Sequence, residues 1–218
     1  MNRFCPIVSL SSLVMILLLI FSTTANAAVT VTPASTGTCL NLTPGAYIAI
    51  GDIVIQENNN GDFSAAANRT LILSAPANFQ FQAGVGAVSY QGGRNITAAS
   101  IAVAAGTITV TYTVGGTNRS DRMTISGIMA RATAVPASGN ILRTGGTATI
   151  SGDATGGGVN HGTLTAYAGG ATRTSIAAGN WSSPGTWSGG NVPNCNDNAV
   201  INHNVTGNVS TKLNNLTI

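Results

Sequence analysis

Two histidines, three cysteines and six acids are the side chains of this 218-residue sequence suited to proton transfer, metal binding or nucleophilic attack. His161 and His203 lie in different segments. A metal site or a Ser-His-Asp arrangement needs a partner at defined geometry, and no motif supplies one, so both read as solvent-facing loop residues. Asp52, Glu57 and Asp62 form the densest acidic group. Calcium wants several oxygen ligands and a glycosidase wants a placed pair of carboxyls, yet their spacing matches no such loop. Asp62 closes an Asn58-Asn59-Asn60-Gly61-Asp62 run that is turn chemistry. Gly156-Gly157-Gly158 has neither the lysine nor the strand-to-helix setting of a phosphate loop. The expectation is therefore no catalytic residue, no metal ligand and no cofactor.

Three other features carry weaker signals. Trp181 and Trp187 are both tryptophans of the chain. They can offer a flat platform for sugar rings, or pack as core, and the Gly and Pro between them favour the core reading. Cys39 and Cys195 can form one disulfide in an oxidising compartment; each can equally be a buried thiol or pair outside this chain. Eight Asn-x-Ser/Thr sequons (Asn41, Asn68, Asn95, Asn118, Asn180, Asn204, Asn208 and Asn215) fit chance in a chain so rich in Asn and Thr.

Strands have to position these residues. Thr107 to Val114 alternates threonine with Ile108, Val110, Tyr112 and Val114, the period of a pleated strand. Ser100 to Ala104 leads into it across Ala105-Gly106, which predicts a hairpin with a tight turn. Its aliphatic face needs a second layer, because a two-stranded ribbon alone is marginal. Further strands are predicted at Val29–Thr32, Tyr47–Glu57, Thr70–Ser74, Phe79–Gln82, Asp121–Ser126, Ile128–Thr133, Asn140–Arg143, Thr147–Ser151 and Thr163–Tyr167. Short strands with glycine turns suit an immunoglobulin-like sandwich, and no stretch after the leader has helix periodicity.

The leader itself is residues 1–27: Arg3, an apolar run from Ile7 to Phe21, then Ala25-Asn26-Ala27 as a cleavage pattern. The run is shorter than the roughly 20 residues a membrane span needs, so the reading is a signal peptide and an exported chain with no span after cleavage. Removing it leaves 191 residues, enough for one sandwich and something smaller. Only 7% of residues are charged and 44% are hydrophobic, which argues against disorder. Without Arg3, eight scattered basic residues face six acids, and no basic stripe supports nucleic-acid binding.

A composition break falls near Ala168 to Ala171, and beyond it Asp197–Ile201 and Leu213–Ile218 look like short parallel rungs. Such units bury a face only by stacking, roughly three or more together, so the chain is expected to stop within a pattern. Asn180-Trp181-Ser182-Ser183-Pro184-Gly185-Thr186-Trp187, Val192-Pro193 and Asp197-Asn198-Ala199-Val200-Ile201 resemble the segment that leads into right-handed β-helices of bacterial surface and secreted proteins, including glycine-rich extracellular domains. Gly51 to Glu57 with Asn68 to Leu73 and Pro76 is similar to Ig-like repeats of bacterial adhesins. The expectation is an all-β chain: a signal peptide at 1–27, an Ig-like β-sandwich at 28–168, a linker at 169–179, and the first rungs of a parallel β-helix-like segment at 180–218. The resemblance implies a secreted or cell-surface structural and adhesive module with no chemistry of its own. Candidate partners are surface glycans or other cell-surface proteins. The alternative is a carbohydrate-binding module of an extracellular polysaccharide-degrading enzyme, with Trp181 and Trp187 on the ligand.

Overall fold

Gly, Asn and Pro interrupt the chain so often that no strand among the described residues exceeds nine residues. The computed structural model describes residues 28–34, 42–166, 170–194, 197–210, 213 and 215–218. In chain order the strands are β1 (Thr30–Thr32), β2 (Ile48–Ala49), β3 (Ile53–Gln56), β4 (Ala66–Ser74), β5 (Phe79–Phe81), β6 (Ala87–Tyr90), β7 (Ile96–Val103), β8 (Thr107–Val114), β9 (Arg122–Ser126), β10 (Met129–Ala132), β11 (Ala137–Gly145) and β12 (Asn160–Ala166). Then come β13 (Thr172–Thr174), β14 (Gly179–Asn180), β15 (Asn198–Val200), β16 (Val205–Thr206) and β17 (Asn215–Thr217), with two single 3-10 turns at Pro184–Thr186 and Ser188–Gly190. The fold is all-β.

The predicted hairpin is present. β7 and β8 pair antiparallel down to Val103 opposite Ile108, and Ala104 and Thr107 exchange main-chain bonds across Ala105-Gly106. Around it lies a five-stranded sheet in the order β12-β11-β4-β8-β7. Its inward residues, Leu71, Leu73, Ile108, Val110, Ile141 and Leu164, are fully buried. They join one core with residues of two smaller sheets, β1-β3-β9-β6 and β2-β10-β5. Phe63 meets Tyr112 edge to face in that core, with centroids 5.7 Å apart.

The two smaller sheets form a curled second layer. Tyr47–Glu57 is expected as one strand with a bend at Gly51-Asp52; instead it divides there, β2 pairing with β10 and β3 with β9. Opposite that bend, Gly127 takes φ +65°, a left-handed value open to glycine at no steric cost, and the chain passes from β9 to β10. Ile50 N–H donates to the Ile128 carbonyl at 2.9 Å, so the two segments change sheet together.

A second expectation fails at Thr147–Ser151, which is a connection rather than a strand. Gly146 lies so close to the main chain of Thr70 that a Cβ would fall 2.1 Å from its carbonyl oxygen. Thr147 then bonds Thr70 reciprocally through hydroxyl and amide, at 3.0 and 3.1 Å, instead of continuing a ladder. Only Ile150 makes a bridge, to Phe63.

The predicted rungs do pair in parallel. β13, β15 and β17 form one ladder, with Thr172 beside Asn198 and Asn198 beside Asn215. β14 and β16 form another. Trp181, Trp187 and Ala199 make a core distinct from that of the sandwich.

Candidate functional site

The outer face of the five-stranded sheet follows from strand alternation, which sends every second residue away from the core. On β8 these are Thr107, Thr109, Thr111 and Thr113, all half-buried. Thr111 stands between Thr70 of β4 and Ser100 of β7; Thr109 stands between Ile72 and Ala102. On the far side of β4, Asn140 pairs with Thr163, whose hydroxyl donates to the Asn140 carboxamide oxygen at 2.8 Å, and Ser138 pairs with Thr165. These positions present hydroxyls, amides and methyl groups without a single charge. The face can donate and accept hydrogen bonds with a neutral partner, and it lacks the fixed charge that acid or phosphate recognition requires.

Trp181 and Trp187 are brought together. Their rings meet edge to face with centroids 4.7 Å apart, and the Trp187 indole N–H donates to the Trp181 carbonyl at 2.8 Å. Trp187 is fully buried and Trp181 is 7% exposed. The same segment covers the free edge of β13: Ile176 N–H donates to the Thr186 carbonyl at 2.8 Å, Thr174 N–H to the Ser188 hydroxyl at 3.0 Å, and Ser175 bridges Trp187. Two aromatic rings enclosed this way present no open face for a sugar ring.

The acids serve main-chain donors. Glu57 accepts from Phe63 N–H at 2.5 Å and from Asp121 N–H at 2.7 Å, one on each carboxylate oxygen. Asp121 accepts from Asn95 and Ile96 N–H, both at 2.9 Å. Asp62 accepts from Asn58 and Asn59 N–H at 3.1 and 2.9 Å, the turn role predicted for it. Burial pushes the Glu57 carboxyl above its ordinary value; the two N–H bonds oppose that, and Asp121 and Asp62 add to it. Asp52 stays exposed.

His161 corrects the expectation of a solvent-facing loop histidine. It lies on β12, is fully buried, and its Nε2 is 3.3 Å from Asp153 Oδ2. The ring's Nδ1 lies 3.1 Å from the Val159 carbonyl, so both ring nitrogens face an oxygen of the protein. Arg143, also buried, donates to the carbonyls of Asp153 and Ala148. A cavity of about 240 Å³ adjoins this group, lined by Arg143, Thr149, Asp153 and Thr155 among others. Asp153 lies eight residues from His161 in a glycine-rich stretch, a separation that signals nothing until Arg143 and the connection fold over them. His203 is exposed, as expected, with its Nδ1 2.9 Å from the Ser175 carbonyl. The Ser175 hydroxyl accepts from Asn202 and His203 N–H at 2.8 and 3.0 Å and lies 3.2 Å from His203 Nδ1, so it braces the turn that carries His203.

Cys39 and Cys195 lie outside the described residues. Among the described residues no group of three or more His, Cys, Asp or Glu side chains is placed to hold a metal ion. No helix among them is long and apolar enough to cross a membrane.

The chain matches no protein-family model and no curated protein. The solved structure of a non-cellulosomal cohesin from the hyperthermophilic archaeon Archaeoglobus fulgidus is similar at 16% identity, over 65% of this chain and 91% of the cohesin, with a TM-score of 0.38. At that identity and score the likeness assigns this chain neither a fold family nor a function.

Proposed function

We propose that this protein is an exported structural and adhesive module with no chemistry of its own. In this reading residues 1–27 direct export to the cell surface or medium, an Ig-like sandwich follows at 28–168, and the parallel rungs are the start of a β-helix-like segment. The ladder begins at Thr172, inside the stretch 169–179 expected as linker, so the second unit is taken to start there.

The observation that carries the reading is the uncharged hydroxyl face of the five-stranded sheet, set on a rigid core. A neutral, hydroxyl-rich surface glycan suits it, because each partner hydroxyl replaces a water bond without stripping an ion. Glu57, Asp62 and Asp121 are occupied by main-chain donors and Asp153 faces His161 in the core, which supports a non-catalytic role. The alternative, sugar binding by Trp181 and Trp187, is disfavoured by their enclosure. Pull-down on insoluble neutral polysaccharides tests the proposal: Thr109→Lys with Thr111→Lys should abolish retention while the circular dichroism stays unchanged. Retention lost only in a folded Trp187→Phe variant would support the alternative instead.

A further inference from the structure

We propose that Asn60 is a site of spontaneous conversion to aspartate and isoaspartate, promoted by the turn that holds it. Asn60 and Gly61 sit at the tip of the connection between β3 and β4, with Asn60 exposed. Three features of the fold favour attack of the Gly61 nitrogen on the Asn60 side-chain carbonyl carbon. First, among the described residues the Gly61 N–H donates to no acceptor, so its proton can leave to solvent base. Second, Gly61 has no side chain to shield that nitrogen, and none fits: its φ is +91° and a Cβ would lie 3.2 Å from Thr117. Third, the Ser120 hydroxyl donates to Asn60 Oδ1 at 2.9 Å. That bond polarises the carbonyl and stabilises the oxygen's charge as the tetrahedral species forms, the role of an oxyanion donor.

The step balances without any co-reactant except water. The Gly61 nitrogen loses its proton and bonds to the Asn60 side-chain carbon. The bond to Nδ2 breaks, and ammonia leaves with a proton, closing a succinimide. Water then opens either ring C–N bond, leaving an aspartyl or an isoaspartyl residue at position 60. The new carboxylate joins Glu57, Asp62 and Asp121, the acids already gathered at this end of the sandwich. The isoaspartyl form lengthens the main chain by one carbon between Asn59 and Gly61, and so disturbs the bonds that Asp62 accepts from Asn58 and Asn59.

The test is peptide mapping by mass spectrometry of the full chain incubated at mildly alkaline pH, folded and in guanidinium. Asn60 should convert before every other asparagine in the folded protein, and faster than in the unfolded chain. Ser120→Ala should slow the folded rate several-fold and leave the unfolded rate unchanged. A folded rate no greater than the unfolded one would overturn the proposal, as would a Ser120→Ala chain converting at the parent rate.

Discussion

The Trp187 indole N–H is bonded to the carbonyl of Trp181, six residues earlier, at 2.8 Å. This closes the Ser182 to Thr186 loop on itself and packs both rings with Ala199 of β15. Trp187→Ala should remove an enclosed ring and leave a carbonyl without its donor, at a cost of about 3–5 kcal/mol to the parallel segment. Limited proteolysis should then cut within residues 172–206 while the sandwich persists. Trp187→Phe keeps most of the ring and should show a smaller loss; equal resistance of Trp187→Ala and parent would refute the packing role.

Glu57 gives the stability a pH dependence. Its folded carboxyl holds a proton more tightly than the ordinary value of 4.5, so folding favours the protonated form. Its stabilising contribution is therefore complete below that value and is lost as pH rises through the raised folded value. Denaturant titrations from pH 4 upward should show this fall in the parent and a flatter profile in Glu57→Gln. The amide also replaces one acceptor oxygen with a donor facing an N–H, so Glu57→Gln should cost about 1–3 kcal/mol at the acidic end. Parallel profiles for the two proteins would contradict the assignment.

Asp153 and His161 are both fully enclosed, so neither can turn to water if the other is removed. Asp153→Ala should lower stability by about 1–3 kcal/mol, since it leaves a buried imidazole nitrogen without its partner beside the buried Arg143 guanidinium. Thermal unfolding of the variant measures it, and a change within experimental scatter would show that the pair is dispensable.

Much of the fold is legible in the chain because alternation leaves few options. Thr107 to Val114 can bury only Ile108, Val110, Tyr112 and Val114, and those four are buried. The parallel rungs are legible because Asp197 to Ile201 and Leu213 to Ile218 repeat a short pattern. What escapes depends on contacts distant in sequence. Thr147–Ser151 alternates as a strand does, yet Gly146 runs against the Thr70 main chain and the segment pairs only through the Ile150 bridge to Phe63. Tyr47–Glu57 shows its bend but not that the two halves join different sheets, which only β9 and β10 decide. His161 reads as solvent-facing because its partner Asp153 belongs to a separate connection. The neutral face is half-visible: the threonines of β8 can be read, but their neighbours Thr70 and Ser100 come from strands aligned by register alone.

If the uncharged outer face of the five-stranded sheet makes the contacts with a neutral partner, charge placed on that face must break them. The most direct measurement is retention of the full chain on cellulose, chitin and other neutral polysaccharides, parent against Thr109→Lys with Thr111→Lys. Two charges placed there should abolish retention, because each ammonium would be stripped of water against a surface with no counter-charge. Undiminished retention by the folded double variant would contradict the claim.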